Sequence, residues 1–282
     1  MKHLSRIRSY LRTLCKSDQV HALVLLSAPG WAKSTTITEA LADLGIEYVP
    51  GGAVATPLHV YNLLCRHPDS VIVLDDVSGL FEDKKAMSVL KAAAWAAKGD
   101  RRVAWGSTSD KVEQSSVVFR GKLILIANSI TKSRETQAFL SRAIFYKMEF
   151  GRDEVTAMLK AAAASKGHFS NQPLAMEVAD FLVGQLRLRE HSSISLRTLH
   201  IGCELAATHP EEWRELLEPL LPSAHPDHLI ESLATADLGA HQQERKFIAE
   251  TGLSRRTFYR EKKRLGMSRS YQRTPERKST KK

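Results

Sequence analysis

The stretch Ser-Ala-Pro-Gly-Trp-Ala-Lys-Ser-Thr, residues 27–35, decides the fold of this 282-residue chain. The run Ala-Leu-Val-Leu-Leu comes just before it and suits a strand that is covered on both faces. A helical pattern follows, with Ile37, Leu41 and Leu44 on one face. A loop of this kind between a strand and a helix is typical of phosphate binding, because backbone N–H groups, the helix N-terminus and a lysine all attract anions.

The loop departs from the usual pattern Gly-x4-Gly-Lys-Ser/Thr at two positions. Lys33 and Ser34 match the pattern, whereas Ser27 and Ala32 stand where its glycines belong, and we expect Ala32 to resist a positive φ. The alternative is a plain strand-to-helix turn with a solvated lysine. The phosphate-binding interpretation assigns the nucleotide to Pro29, Gly30, Trp31, Ala32, Lys33, Ser34 and Thr35.

Two carboxylates follow a second buried strand. Residues 71–74 are Val-Ile-Val-Leu, and Asp75 and Asp76 come directly after them. Next to a phosphate loop, such a pair can hold Mg²⁺ and orient the attacking water. We therefore expect Ser34 and Asp75 to serve the metal and Asp76 to be catalytic. A helix cap or a turn is the alternative for an isolated Asp-Asp pair.

Strands and helices alternate through the first 150 residues and then give way to helices. Strands are predicted at residues 21–26, 48–49, 71–74, 101–105, 117–120, 122–127 and 143–150, and helices at 36–44, 57–66, 84–97 and 138–142. Such alternation predicts the α/β class, with a parallel sheet flanked by helices. The expected domains are a nucleotide-binding core at 1–150, an all-helical lid at 151–222, a linker at 223–242, a small DNA-binding unit at 243–267 and a disordered basic tail at 268–282.

The positive charge lies at the end of the chain. Residues 242–282 hold 14 Lys and Arg against 4 Asp and Glu, while the whole chain holds 41 against 31. A basic terminus of this kind favours a polyanion partner such as nucleic acid, although a tail that only aids solubility is the alternative. The three cysteines have no metal-ligand spacing, no apolar run could span a bilayer, and we expect a cytoplasmic protein without a membrane partner.

With the loop and the two aspartates in place, residues 18–207 resemble the AAA+ ATPases. Lys33 and Ser34 correspond to the Walker A lysine and Mg²⁺ hydroxyl, and Asp75 corresponds to the Walker B aspartate. Asp76 stands where the family usually has a catalytic glutamate, which puts fast turnover in doubt. The resemblance implies ATP and Mg²⁺ as cofactors and assembly of identical subunits into a hexameric ring or a filament.

Three further residues extend this resemblance. Asn128 resembles the sensor 1 residue, Arg142 the arginine finger that reaches a neighbouring subunit's nucleotide, and Arg197 the sensor 2 arginine of the lid. The resemblance implies catalytic roles for all three and for Asp76. Taken singly, Asn128 could be a strand-end cap, Arg142 a surface arginine and Arg197 a charge at a helix start. The strand pair before Asn128 also resembles small phage or mobile-element members, and superfamily 3 helicases share part of it.

The segment at residues 244–266 is typical of two helices around a turn. Gly252 permits a left-handed helix end, and Ser254 is a good N-cap. It resembles helix-turn-helix modules, including the Fis-type module, with double-stranded DNA as the implied partner. A basic coil or a protein-docking segment is the alternative. The residues expected to contact DNA are Arg255, Arg256, Tyr259, Arg260, Lys262 and Lys263.

Three functions remain open from the sequence. The first is a DNA-associated ATPase ring that loads, moves or remodels an unidentified protein partner in replication, recombination or transposition, in a bacterial cell or encoded by a phage or plasmid. The second is an ATP-dependent transcriptional activator, but the chain has no Gly-Ala-Phe-Thr-Gly-Ala-type loop. The third is a DNA-binding adaptor that senses nucleotide and hydrolyses it weakly, which Ser27, Ala32 and Asp76 favour.

Overall fold

The computed structural model describes residues 2–52, 56–95, 100–106, 110–165, 167–189, 194–222, 226–236 and 238–267. The predicted disordered tail at 268–282 lies outside the described residues. The chain divides into two compact units: Met1–Phe150 with Ser195–Arg197, and Gly151–Ile194 with Thr198–Lys282. The division into five functional segments stays a prediction. No helix in the described ranges is long and apolar enough to cross a membrane.

The first unit alternates strands and helices. In chain order the elements are α1 (Lys2–Lys16), β1 (Ala22–Leu26), α2 (Lys33–Asp43), β2 (Tyr48–Pro50), α3 (Pro57–Arg66), β3 (Val71–Leu74), a 3₁₀ turn (Ser78–Phe81), α4 (Lys84–Ala94), β4 (Arg102–Ala104), β5 (Ser116–Val118), β6 (Lys122–Ala127), α5 (Arg134–Leu140) and β7 (Ile144–Lys147). Five strands form one sheet in the order β2-β3-β6-β1-β7, and every neighbouring pair is parallel. The predicted α/β class, a parallel sheet flanked by helices, is confirmed.

Helices cover the central strands on both faces. Ala22 and Val24 of β1 belong to one large apolar cluster together with side chains of α3 and α4. Leu23 and Leu25 are equally buried but lie outside that cluster. Because successive strand residues point to opposite faces, each face has its own apolar layer. This explains why the sequence of β1 is a continuous apolar run rather than an alternating one.

β4 and β5 form a separate antiparallel pair, as expected from the sequence. Helix boundaries differ at several places, such as the end of α4 at Ala94 rather than 97, and two of the differences have a clear local cause. α2 begins at Lys33, three residues earlier than predicted, because Ala32 already accepts the amide N–H of Thr36 at 2.9 Å. The short helix predicted at 138–142 lies at Arg134–Leu140, since the Ser133 hydroxyl caps it by accepting the Thr136 N–H at 3.0 Å.

The second unit is all-helical in its described residues, as predicted. Its helices are α6 (Arg152–Ala164), α7 (Gln172–Gln185), α8 (Leu196–Thr208), α9 (Trp213–Leu217), α10 (Pro226–Thr235), α11 (Ala240–Thr251) and α12 (Arg255–Arg264). α8 begins inside the short segment Ser195–Arg197, which belongs to the first unit.

The last three helices share a small core. Leu229, Ile230 and Leu233 of α10 pack with Phe247 of α11 and Phe258 of α12. The segment predicted as a linker at 223–242 therefore supplies a helix of this core. Ile248 and Leu253, two further apolar residues of this segment, are 37% and 36% exposed.

Candidate nucleotide-binding site

The sheet order brings the predicted site residues to one edge. β6 lies between β1 and β3 in the parallel sheet. Ser27 follows β1, Asp75 follows β3 and Asn128 follows β6, so all three leave the carboxyl ends of adjacent strands. In open parallel sheets this is the edge at which ligands bind. The first unit thus places a phosphate-type loop, two carboxylates and an amide side by side.

Lys33 lies at the centre of this arrangement, and its ammonium is engaged by protein groups. Nζ donates to the carbonyl oxygens of Ser27 at 2.7 Å and Ala28 at 2.9 Å. It also donates to Oδ1 of Asn128 at 2.8 Å, which joins the loop to the end of β6. Burial lowers the pKa of Lys33, while the nearby carboxylates of Asp75 and Asp76 act in the opposite direction.

A chain of hydrogen bonds connects Lys33 to Asp76. Nδ2 of Asn128 donates to Oδ1 of Asp76 at 2.8 Å, and the Asp76 N–H donates to Oδ1 of Asp75 at 2.8 Å. Asp76 has a φ of 53°, in the left-handed region. Aspartate adopts this region more readily than most residues, which gives a local reason for Asp where the resemblance expects Glu.

Ser78 is a site residue that the sequence interpretation missed. Its hydroxyl oxygen accepts the backbone N–H of Asn128 at 3.2 Å and of Ser129 at 3.3 Å. These two bonds fix the turn that presents the Asn128 amide. Ser78 comes three residues after Asp75, but a lone serine after Asp-Asp-Val carries no pattern that would single it out.

The loop backbone takes the conformation that its sequence was expected to resist. Gly30 has φ 83° and Ala32 has φ 51°. An alanine in this region carries a strain of about 1 kcal/mol. Gly30 is also closely packed, because a Cβ there would lie 2.3 Å from Oγ of Ser195 and 3.3 Å from Cβ of Arg197. The loop therefore needs glycine at position 30 and only tolerates alanine at position 32.

Trp31 is the least expected member of the loop. Its side chain is 2% exposed, and its ring stacks on Phe150 with the centroids 4.6 Å apart. Its Nε1–H has no hydrogen-bond acceptor within the part of the chain that the structure describes. An unpaired buried N–H costs about 1–3 kcal/mol, and a bound ligand that supplies an acceptor would remove this cost.

The residues present suit ATP with Mg²⁺. α2 begins at Lys33, so the loop amides and the positive end of the helix dipole lie at the same place. Ser34 follows Lys33 in the first turn, and Asp75 supplies an oxygen ligand of the kind Mg²⁺ prefers. Pro29 and Thr35 are exposed at the two ends of the loop.

The two predicted arginines differ in their surroundings. Arg197 lies close enough to Lys33 for its charge to help lower the lysine pKa, after burial, and its Cβ approaches Gly30. Arg142 instead donates from Nη1 to the carbonyl oxygen of Ala138 in α5. The first unit therefore brings Lys33, Asp75, Asp76, Asn128 and Arg197 together, whereas Arg142 is bonded to the helix that precedes it.

The predicted DNA-contacting residues lie on α12, but some of them are already bound to α11. The Tyr259 hydroxyl donates to Oε2 of Glu244 at 2.9 Å, and Arg255 pairs with Oε1 of the same carboxylate at 3.3 Å. Lys262 donates to Oε1 of Gln243 at 2.7 Å. Arg260 pairs with its neighbour Glu261. Arg256 and Lys263 are exposed and form no ion pair with the described residues.

Comparisons with known proteins give structural likenesses only. No protein-family model matches the chain, and no curated protein matches it. Among solved structures, the Thermotoga maritima RuvB Holliday junction branch migration motor aligns at 13% identity over 94% of this chain and 88% of its own, with a TM-score of 0.46. The Aeropyrum pernix ORC1 protein in complex with DNA aligns at 14% over 94% and 82%, with a TM-score of 0.46. Cdc6p from Pyrobaculum aerophilum aligns at 13% over 94% and 84%, with a TM-score of 0.44.

Proposed function

We propose that this chain is an ATPase of the AAA+ type that acts on DNA. The observation that carries the proposal is the meeting of Lys33, Asp75, Asp76 and Asn128 at the carboxyl ends of β1, β3 and β6. A phosphate loop alone would support nucleotide binding. A connected lysine, amide and carboxylate at the same edge also supports cleavage of the terminal phosphate by water.

Each residue has a distinct role in this proposal. Lys33 leaves its protein acceptors and binds the terminal phosphates, and Ser34 with Asp75 holds Mg²⁺. Bound Mg²⁺ supplies neutralisation of phosphate charge. Asp76 orients the attacking water and accepts its proton, while Asn128 positions both the carboxylate and the water. Arg197 contacts the phosphates, and Arg142 serves the nucleotide of a neighbouring subunit in a ring or filament of identical chains.

The DNA assignment rests on charge. The basic excess of the chain lies in residues 242–282, and α12 presents Arg256 and Lys263 to solvent. We propose that α11 and α12 bind double-stranded DNA as a helix-turn-helix and anchor the ATPase there. The ATPase then loads, moves or remodels a protein partner in replication, recombination or transposition, in a bacterial or phage setting.

A weakly hydrolysing adaptor is the second candidate, and a specific observation favours it. Asp76 is a short carboxylate in the left-handed region, and the Asn128 amide holds it. A water between such a short side chain and the terminal phosphate is less well oriented than one held by glutamate. On this alternative the chain binds Mg-ATP and changes its assembly state with little turnover.

One set of assays separates these candidates. ATP hydrolysis and ATP binding are measured with and without double-stranded DNA for the wild type, Lys33→Ala and Asp76→Asn. For the ATPase we expect hydrolysis that DNA stimulates, no binding by Lys33→Ala, and binding with at least about a hundredfold slower hydrolysis by Asp76→Asn. Binding by the wild type without turnover would favour the adaptor. Absence of ATP binding by the wild type would reject both.

A further inference from the structure

A groove on the first unit, lined by none of the residues predicted to bind the nucleotide, has the character of a docking site. It has a volume of about 630 Å³ and lies between α3, α4 and the β4–β5 hairpin. Four partly buried apolar side chains that pack against the main core contribute to its lining, namely Leu58, Ala92, Trp105 and Val112. These side chains leave an apolar surface that is open to solvent. No loop of the described chain covers it.

The first turn of α4 adds two positive charges to the groove. Lys84 and Lys85 are the first two residues of the helix, and the turn has no acidic residue. The positive end of the helix dipole disfavours cations there by about 0.3–1 kcal/mol each. The Asp83 carboxylate caps the helix by accepting the N–H groups of Lys85 and Ala86, and its single negative charge offsets only part of the two lysine charges. The two lysines therefore occupy positions at which acidic residues would make the helix more stable.

Two acidic side chains near the groove are paired with cations that do not line it. Glu113 pairs with Arg66 at 2.9 Å, and Glu135 pairs with Lys91 on the part of α4 that packs against α5. Among the described residues that line the groove there is no carboxylate. One rim of the groove is thus positively charged, and the floor of the groove is apolar.

The spacing along α4 indicates the shape of the occupant. Lys85, Ser88, Val89 and Ala92 line the groove at intervals of three and four residues, so they form one face of the helix. This face runs for about two turns, or roughly 11 Å. An amphipathic segment of similar length can lay its apolar side chains into such a groove in the manner of helix-in-groove recognition.

We propose that this groove binds an acidic amphipathic segment of a partner protein. The leucine-like side chains of that segment fill the floor of the groove beside Trp105 and Val112. The carboxylates of the segment pair with Lys84 and Lys85. The basic C-terminal residues of this chain are excluded as the occupant by like charge. Nucleic acid is disfavoured because the floor is mostly aliphatic and the Trp105 ring already packs at a tilt against Tyr61 with the centroids 5.5 Å apart. The proposal does not depend on ATP hydrolysis.

The probe for this proposal is a fluorescein-labelled helical peptide of about 14 residues, with leucines at i, i+3, i+4 and i+7 and glutamates elsewhere. Its twin carries lysine in place of every glutamate. Binding to the full-length chain is followed by fluorescence anisotropy. We expect the glutamate peptide to bind at least about tenfold more tightly than the lysine twin.

Three variants locate the binding. Lys84→Glu combined with Lys85→Glu reverses the rim, Ala92→Trp fills the floor, and Lys132→Glu reverses an exposed cation outside the groove as the control. The first two are expected to weaken the glutamate peptide at least about tenfold, and the control less than about twofold. The double charge reversal should leave the urea midpoint unchanged or higher, because acids suit a helix N-terminus. Loss of binding therefore cannot be attributed to unfolding.

Three outcomes would overturn the proposal. The first is no binding of the glutamate peptide by the folded wild type. The second is equal binding by the wild type and both groove variants. The third is single-stranded DNA binding that the groove variants lose while peptide binding persists, which would assign the groove to nucleic acid.

Discussion

At the scale of single residues, the nucleotide edge contains residues that meet as the sequence pattern predicts. It also contains residues whose backbone is strained. Lys33 and Asn128 meet as the order of strands requires. Ala32 and Asp76 reach left-handed conformations that glycine would adopt without strain. The chain thus carries backbone strain at two of the three positions where it departs from the AAA+ pattern, the third being Ser27.

The strain at Ala32 can be measured by removing its side chain. Because Ala32 has φ 51°, Ala32→Gly is expected to raise the free energy of unfolding by about 0.5–1 kcal/mol in urea titrations. The control is Ala42→Gly, at an exposed position inside α2, where the same change should lower it by about 0.5–1 kcal/mol. Changes of opposite sign in the free energy of unfolding would indicate that the left-handed backbone of Ala32 is strained. A loss of stability at both positions would show that Ala32 is unstrained in solution.

At the scale of elements, the amino ends of the strands are held together by one partly buried and one buried cation. Lys122, at the start of β6, donates from Nζ to the carbonyl oxygens of Ser17 at 2.5 Å and Val20 at 2.9 Å, just after α1. Its ammonium also lies 3.2 Å from Nδ1 of His21. Arg101 joins the end of α4 to β6 by donating to the carbonyl oxygens of Ala93 at 2.7 Å and Gly121 at 3.0 Å.

This junction predicts a loss of stability in mild acid. Burial first, and then the charges of Arg101 and Lys122, lower the pKa of His21 from 6.5 to about 4, with Asp18 acting weakly the other way. A lowered folded-state pKa means that the unfolded chain binds the proton more readily. The contribution of His21 is therefore complete above pH 6.5 and is lost as the pH falls towards 4.

The measurement is the urea midpoint between pH 6.5 and pH 5, a range in which few carboxylates titrate. We expect the midpoint of the wild type to fall over this range and that of His21→Gln to fall less. His241→Gln, at an exposed histidine of α11, serves as the control and should keep the wild-type slope. Identical slopes for His21→Gln and the wild type would mean that folding does not lower the pKa of His21.

The sequence predicted the elements better than their ends. Continuous apolar runs identified β1, β3 and β6, because strands buried on both faces leave no other pattern. The boundary of α5 was wrong, since the Ser133 cap competes with the apolar pattern that begins at Ala138. The role of Ser78 could not be predicted at all, because it depends on β3 and β6 being neighbours in the sheet.

At the scale of the whole molecule, the charge is divided between the units. The excess of Lys and Arg lies in residues 242–282, beyond the first unit and its nucleotide edge. α11 and α12 carry part of this charge, and they are folded around a small core that they share with α10. The sequence alone predicts a linker at 223–242, because the three buried apolar residues of α10 have no visible partner until Phe247 and Phe258 pack on them.

The positive charge on these helices predicts how the affinity for DNA depends on salt concentration. Each phosphate contact contributes about 0.9 to the slope of log K against log salt concentration. Lys263→Ala should lower this slope by about 0.9 for any duplex sequence, whereas Arg256→Ala should also change the preferred sequence. The control Arg152→Ala, an exposed arginine of α6, should leave the slope unchanged. Equal effects of all three variants would show that the charge acts only in bulk, and removal of residues 268–282 tests the tail separately.

The engaged ammonium of Lys33 has a consequence for kinetics. Because Nζ holds three protein acceptors, of which Asn128 is one, it must leave them before it can hold a phosphate. ATP capture should therefore include a step whose rate does not depend on ATP concentration, so that stopped-flow association rates reach a plateau. Asn128→Ala removes one acceptor and should raise that plateau about severalfold. Rates that rise linearly with ATP in both proteins would mean that Lys33 is free before ATP arrives.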